Sequence, residues 1–235
     1  AKIYLKRGMN TNLEKYRYTI EKQTKAFDLG RHPNVIPYRF CFETAKAGIL
    51  LRQYFQQSLA EKFTTVPFLS QIDKLWFSFQ LLCALAQSHA EGICHGDIKT
   101  ENVMITSWNW AFLTDFASFK PTYLSDDNLT DFNYYFASNK KCYLAPERFY
   151  SKEVDTSTDP QYNDLIPSMD VFSLGCVLAE VFLDGEAIFT LPDLLAYRNG
   201  QYSPKDIISK IGDKKIEDLI LHMIQVNPDE RFQIS

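Results

Sequence analysis

His95-Gly96-Asp97-Ile98-Lys99-Thr100-Glu101-Asn102 is the stretch on which the reading of this chain turns. An Asp, a Lys two residues later and an Asn five residues later are the side chains that phosphoryl transfer needs in one loop. The carboxylate can orient an attacking hydroxyl and accept its proton. The ammonium can neutralise charge on the transferring phosphoryl group, and the amide oxygen can ligate magnesium. Thirteen residues after Asn102 stands Asp115-Phe116-Ala117, whose carboxylate would hold Mg²⁺ across the phosphates of a nucleotide. Between the two, Val103 to Ile105 and Ala111 to Leu113 read as short strands of a hairpin around Ser107-Trp108-Asn109-Trp110. Downstream follow Ala145-Pro146-Glu147, then Asp170-Val171-Phe172-Ser173-Leu174-Gly175, then Asn227-Pro228-Asp229-Glu230-Arg231.

Outward from that loop the chain divides in two. Residues 1–53 read as a small β-rich lobe. Lys2 to Leu5 is strand-like, Leu13 to Leu29 is helical with Gly30 as its stop, and Val35 to Cys41 and Ile49 to Tyr54 are β-like. Residues 54–235 read as mostly helical. Ser70 to Glu91 carries Ile72, Leu75, Trp76, Phe79, Leu82, Leu85, Ala86 and His89 at helical spacing, so it should pack one stripe. Asp170 to Phe182 is apolar nearly all round and should be a buried helix. Ile207 to Ile211 and Ile216 to Val226 are amphipathic helix candidates.

Composition narrows the function classes. The chain has 235 residues, 46% of them apolar, which is enough for a substantial core. Its 25 basic against 29 acidic residues give a net charge of −4, which argues against a nucleic-acid binder. Five scattered cysteines with no C-x-x-C pair point to a reducing compartment. The four histidines lack zinc-ligand spacing. The uncharged run Leu75 to Ala90 is too short to span a bilayer. The chain opens in mid-strand without an initiator Met and is expected to be a fragment.

In this order and spacing, the motifs resemble the eukaryotic protein kinase catalytic domain from about Lys2 to the last residue. The fold expected is therefore α+β and two-lobed, with an incomplete small N-lobe and a larger helical C-lobe. The resemblance implies Asp97 as base, Lys99 on the phosphoryl group, and Asn102 and Asp115 on magnesium. It places Lys2 on the nucleotide α and β phosphates, with Glu21 or, in a shifted register, Gln23 as its helix partner. Gln53-Tyr54 would be the hinge, and His95 would pack under the magnesium loop. Asp170 would cap the catalytic-loop backbone, and Arg231 would pair with Glu147. A narrower likeness is to the vacuolar-protein-sorting kinases that serve as regulatory subunit of class III phosphatidylinositol 3-kinase. It rests on Thr106-Ser107-Trp108-Asn109-Trp110, Leu113 to Leu124, the aromatic run Asp131 to Phe136, and Leu195 to Gly200. That family implies Mg²⁺ and ATP as cofactors. Its implied partners are the lipid-kinase catalytic subunit and its autophagy and endosomal adaptor subunits. Its implied location is cytoplasmic and peripheral on endosomal and autophagic membranes, with membrane contact only through regions outside residues 1–235.

Several positions depart from the kinase pattern. Gly96 stands where the family has the Arg that receives an activation-loop phosphate, so that switching is not expected. Ala117 replaces the Gly of D-F-G, restricting the backbone beside the magnesium Asp. Lys140 replaces a Ser or Thr near the catalytic Asp and could pair with Asp97. Arg52 falls at the back of the purine pocket. Turned inward, a donor-only Arg would disfavour the adenine amino group and favour the guanine carbonyl, and hence GTP. Turned outward, it would pair with a nearby acid. The alternative to an enzyme is a scaffold that binds nucleotide without turnover and regulates the lipid kinase by contact.

Overall fold

The computed structural model describes residues 1–6, 14–66, 68–117, 120–125, 141–150 and 165–233. Lys140 and the aromatic residues Phe119, Phe132, Tyr134, Tyr135 and Phe136 lie outside them.

The N-lobe is a three-stranded antiparallel sheet with one helix. Strands β1 (Lys2–Leu5) and β3 (Phe40–Glu43) flank β4 (Ala47–Leu51), and α1 (Glu14–Ala26) lies beside them. The extended run expected from Val35 to Cys41 is broken. Val35–Ile36 forms β2, which leaves the lobe and pairs in parallel with β7 (Ala111–Thr114). Helix α1 ends at Ala26, before the expected stop at Gly30, and Asp28 accepts the Gly30 amide in a tight turn. Ile20, Tyr38 and Leu50 form a small core of their own in this lobe.

The C-lobe carries the main core. The hairpin β6 (Val103–Ile105) and β7 sits between β2 and β5 (Gln57–Ser58). A second short parallel pair joins β8 (Leu124–Ser125) to β9 (Phe149–Tyr150). Helix α2 (Leu59–Lys62) starts with a capping box, in which Ser58 accepts the Glu61 amide and Glu61 accepts the Ser58 amide. Helix α3 (Gln71–Ala90) opens with the same device between Ser70 and Asp73. Helix α4 (Pro167–Phe182) starts with Pro at its first position and is buried from Met169 to Phe182, as its all-round apolar sequence demands. Helices α5 (Leu191–Arg198), α6 (Lys205–Ile208) and α7 (Lys214–Met223) complete the lobe.

One sequence expectation is inverted in part. The stripe on α3 does not form its packed face over the first half of the helix, where Ile72 is 79% and Phe79 58% exposed. Phe77, Leu81, Ala84 and Ser88 face inward, joined by Leu85 of the expected stripe. The helix is apolar around much of its circumference, so two faces compete. The one with small Ala84 and Ser88 lets α4 approach closely. Lys74, also on the inner side, reaches the Phe182 carbonyl and Asp184 at 3.3 and 2.7 Å.

Candidate active site

The catalytic loop is held from below by Asp170. Its carboxylate accepts the amides of His95 and Gly96 at 2.6 and 2.8 Å, and His89 Nε2 lies 3.2 Å away. Burial works against its charge, but these donors hold the Asp170 pKa below the ordinary carboxylate value. His95 is fully buried. Its Nε2 donates to the Thr114 carbonyl at 2.8 Å and its Nδ1 accepts the Asp97 amide at 3.1 Å, which assigns a neutral ring. His95 thus stitches the catalytic loop to the magnesium loop, and its ring lies 4.4 Å from that of Phe116.

Gly96 has φ +77°, and a Cβ there would stand 2.5 Å from Leu165 Cδ1. A side chain is disfavoured by both the backbone and the neighbour, which accounts for glycine where kinases carry arginine. A different arginine serves this region. Arg148, directly after Ala145-Pro146-Glu147, is 1% exposed. It donates to the carbonyls of Gly96, Pro121 and Thr122 at 2.9, 3.2 and 2.7 Å. It ties the catalytic loop to the segment after the magnesium loop. An Arg following a recognisable motif gives no sequence signal for such a role.

Around the catalytic carboxylate, Asn102 donates to Asp97 Oδ2 at 3.0 Å and to the Asp97 carbonyl at 2.8 Å. Lys99 Nζ is 3.5 Å from Asp97 Oδ2. The expected Asp97–Lys99–Asn102 triad is therefore assembled in one loop. Lys120, given no role from the sequence, approaches closest, 2.6 Å from Asp97 Oδ2. Burial pulls its pKa down against the attraction of Asp97. The Asp97 pairing considered for Lys140 falls outside the described residues, and Lys120 makes such a contact.

Asp115 carries the largest surprise. It adopts φ +65°, and its side chain is 3% exposed. Arg52 grips both its oxygens, Nε to Oδ1 at 2.6 Å and Nη2 to Oδ2 at 3.1 Å, and Lys2 Nζ lies 2.9 Å from Oδ2. Burial alone would raise the Asp115 pKa, but the Arg52 bonds and the Lys2 charge bring it down to about 2. Arg52 also donates from Nη1 to the carbonyl of Gln53, at 2.9 Å. Its guanidinium thus runs from the hinge to the magnesium Asp. Arg52 is turned inward rather than out to solvent, and the acid it pairs with is Asp115 itself. Tyr38, 1% exposed, presents its hydroxyl beside Asp115 without closing a hydrogen bond. Burial and the Asp115 charge push its pKa well up.

Lys2 therefore reaches the site, but Glu21 does not partner it. Glu21 is exposed and lies 3.6 Å from Arg17, one helical turn away. Gln23, the candidate of the shifted register, is buried on that helix together with Ile20, at 2% and 4% exposure, and Lys2 pairs with Asp115. An amphipathic helix fixes which face is buried only to within a residue, and the charged Glu takes the solvated side. Gln53 and Tyr54 are exposed, Tyr54 at 83%.

Farther out, Arg231 donates to both Glu147 oxygens at 2.7 and 2.8 Å and to the carbonyls of Ser168, Gln225 and Val226. Glu180, fully buried on α4, accepts from Tyr143 and Lys141 at 2.6 Å each, and Thr100 of the catalytic loop lies 3.0 Å from the Tyr143 hydroxyl. Sequence reasoning missed this network because its members are far apart in the chain.

For a metal, the donor set fits in part. Asn102 spends its amide hydrogens on Asp97, so the atom it can offer is an oxygen, the type magnesium takes. Both Asp115 oxygens are already engaged, by Arg52 and Lys2.

The two-lobed fold, the catalytic loop capped by Asp170 and the Arg231–Glu147 pair are those of a protein kinase domain. The family model for the protein kinase domain matches residues 2–235, so the chain belongs to that family. Within it, the chain is similar over 99% of its length to two VPS15 proteins. These are serine/threonine-protein kinase VPS15 of Arabidopsis thaliana, at 49% identity, and a probable serine/threonine-protein kinase vps15 of Dictyostelium discoideum, at 48%. Serine/threonine-protein kinase VPS15 of Saccharomyces cerevisiae is 40% identical over 98% of the chain. The chain spans only 12–16% of the length of these relatives. Among the described residues no helix is long and apolar enough to cross a membrane, and all five cysteines are free thiols.

Proposed function

We propose that this chain is the kinase-like domain of a regulatory subunit of class III phosphatidylinositol 3-kinase. It would bind Mg²⁺-nucleotide and support production of phosphatidylinositol 3-phosphate in endosomal sorting and autophagy. The observations that support the nucleotide part are the Asp97–Lys99–Asn102 cluster and the Lys2–Asp115 pair, with the loops of Asp97 and Asp115 tied together by His95. The partners, namely the lipid-kinase catalytic subunit and its adaptors, rest on the likeness to VPS15 proteins. So does the peripheral location on endosomal and autophagic membranes.

In phosphoryl transfer, Asp97 would accept the proton of a Ser or Thr hydroxyl and Lys99 would face the transferring group. Lys2 would hold the α and β phosphates, and Asn102 and Asp115 would hold magnesium. Bound magnesium would neutralise charge on the phosphates. For the purine, Arg52 uses its Nε and Nη2 hydrogens on Asp115 and Met104 Sδ and one Nη1 hydrogen on Gln53. Any Arg52 hydrogen turned to the purine would favour the guanine carbonyl, and hence GTP over ATP.

A second reading, nucleotide binding without turnover, is favoured by a specific contact. Lys120 lies 2.6 Å from the base Asp97 and competes with a substrate hydroxyl for it. Asp97→Asn separates the two. It abolishes function in cells if phosphotransfer is needed and leaves lipid-kinase support intact if the domain is a scaffold. Phosphotransfer to protein with γ-labelled nucleotide, lost in Asp97→Asn, decides for the enzyme.

A further inference from the structure

We propose that Arg52 is a built-in competitor of the divalent cation for Asp115, so that Arg52 sets how much metal the site needs before it fills. The inference rests on the nucleotide-site reading above and deepens it. Asp115 has two oxygens, and Arg52 occupies both, at 2.6 and 3.1 Å. Lys2 shares the second oxygen at 2.9 Å. The carboxylate is buried, so solvent does little to weaken these contacts. A divalent cation arriving here meets one negative charge already matched by two positive ones. It must share oxygens that already accept from Arg52 and Lys2 and must sit beside their positive charges, so guanidinium and cation compete for the carboxylate.

The surroundings allow that exchange. The Arg52 side chain is 18% exposed, so it has a route towards the cleft mouth. Its other anchors are the Gln53 carbonyl at 2.9 Å and a long contact to Met104 Sδ at 3.7 Å. Lys2 is 41% exposed and stays beside Asp115 to meet phosphate. Tyr38 waits beside the carboxylate with a buried hydroxyl that makes no hydrogen bond, and it can donate to the oxygen that Arg52 gives up. The magnesium loop itself need not move. Its Ala117 amide stays bonded to the His95 carbonyl at 2.9 Å, and the Thr114 carbonyl to His95 Nε2.

The test uses the intact protein and measures nucleotide binding, not activity. Fluorescent ATP and GTP analogues are titrated at fixed concentration against Mg²⁺, and Mn²⁺ uptake is followed in parallel by loss of the free-ion paramagnetic signal. Arg52→Gln is compared with wild type and with Arg39→Gln, which makes the same charge change at an exposed position. The expected result is a metal half-saturation at least tenfold lower in Arg52→Gln, a factor equivalent to about 1.4 kcal/mol, and unchanged in Arg39→Gln. Arg52→Lys, which keeps the charge but loses the fork, should fall between and serves if Arg52→Gln does not fold. Equal metal dependence in wild type and Arg52→Gln, with both binding nucleotide, overturns the inference and leaves the nucleotide site standing. Tight wild-type binding in excess chelator that is lost in Arg52→Gln also overturns it, because Arg52 would then replace the metal. No binding by any variant at any metal concentration overturns the inference together with the nucleotide-site reading.

Discussion

Putting a side chain back at Gly96 tests why this domain lacks the arginine of its family. Gly96 sits at φ +77°, a conformation that costs a residue with a Cβ about 1–2 kcal/mol. The added Cβ would also stand 2.5 Å from Leu165 Cδ1. That atom is the end of a side chain, so it can turn away for about 0.5–1.5 kcal/mol of rotamer strain. Gly96→Ala should therefore destabilise by about 1.5–3.5 kcal/mol. For a chain of this size that lowers Tm by about 3–14 °C. Gly96→Arg should be worse, because it forces a second guanidinium against Arg148, which donates to the Gly96 carbonyl at 2.9 Å. Differential scanning fluorimetry and urea unfolding read both variants. Leu165→Ala in the Gly96→Ala background should recover only the rotamer part, about 0.5–1.5 kcal/mol as a coupling energy. A Gly96→Ala protein within about 0.5 kcal/mol of wild type, the level of a neutral surface change, would refute the argument.

Three further outcomes follow from the same contacts. Arg231→Met leaves Glu147 and three backbone carbonyls without their donor, and should cost about 3–5 kcal/mol by urea unfolding; a loss under about 1 kcal/mol would show the pair to be a surface contact. Asp170 has a depressed folded pKa, so its contribution to stability is complete above the unfolded value of about 3.9 and is lost as pH falls through the folded one. Wild type should lose stability as the pH drops below about 4. Asp170→Asn should be less stable at pH 7 and decline less steeply in acid, and parallel acid limbs would count against the assignment. Burial pushes the Cys142 thiol up to about 12 and the Cys176 thiol well up. Both should resist iodoacetamide at pH 8 until the protein is unfolded, as read by mass spectrometry; native labelling of either would contradict the core packing.

The parts of the site that were legible in the sequence are those that depend on local spacing. The Asp97–Lys99–Asn102 loop, the hairpin behind it and the buried helix after Asp170 needed only residue order and periodicity. The Arg231–Glu147 contact came from the family pattern, and the structure shows it at 2.7 Å. What was not legible depends on which distant cations reach which carboxylate. Arg52 and Asp115 are 63 residues apart, and nothing in either neighbourhood announces their contact. The same holds for Arg148 on Gly96 and for Lys120 on Asp97. Helix α1 shows a different limit. It is polar enough that Glu21 and Gln23 were both candidates, and burial of Gln23 was decided by how the helix rests on the sheet. On α3 the apolar residues were too many to single out one face, so the stripe read from spacing is partly the outer surface.

The most direct test of the account is calorimetric titration of Mg²⁺-ATP and Mg²⁺-GTP into the intact protein, wild type and Asp115→Asn side by side. The account predicts saturable one-to-one binding of at least one nucleotide to wild type and its loss in Asp115→Asn. No binding to wild type, or binding that Asp115→Asn leaves unchanged, would contradict the assignment of this cleft as a metal–nucleotide site.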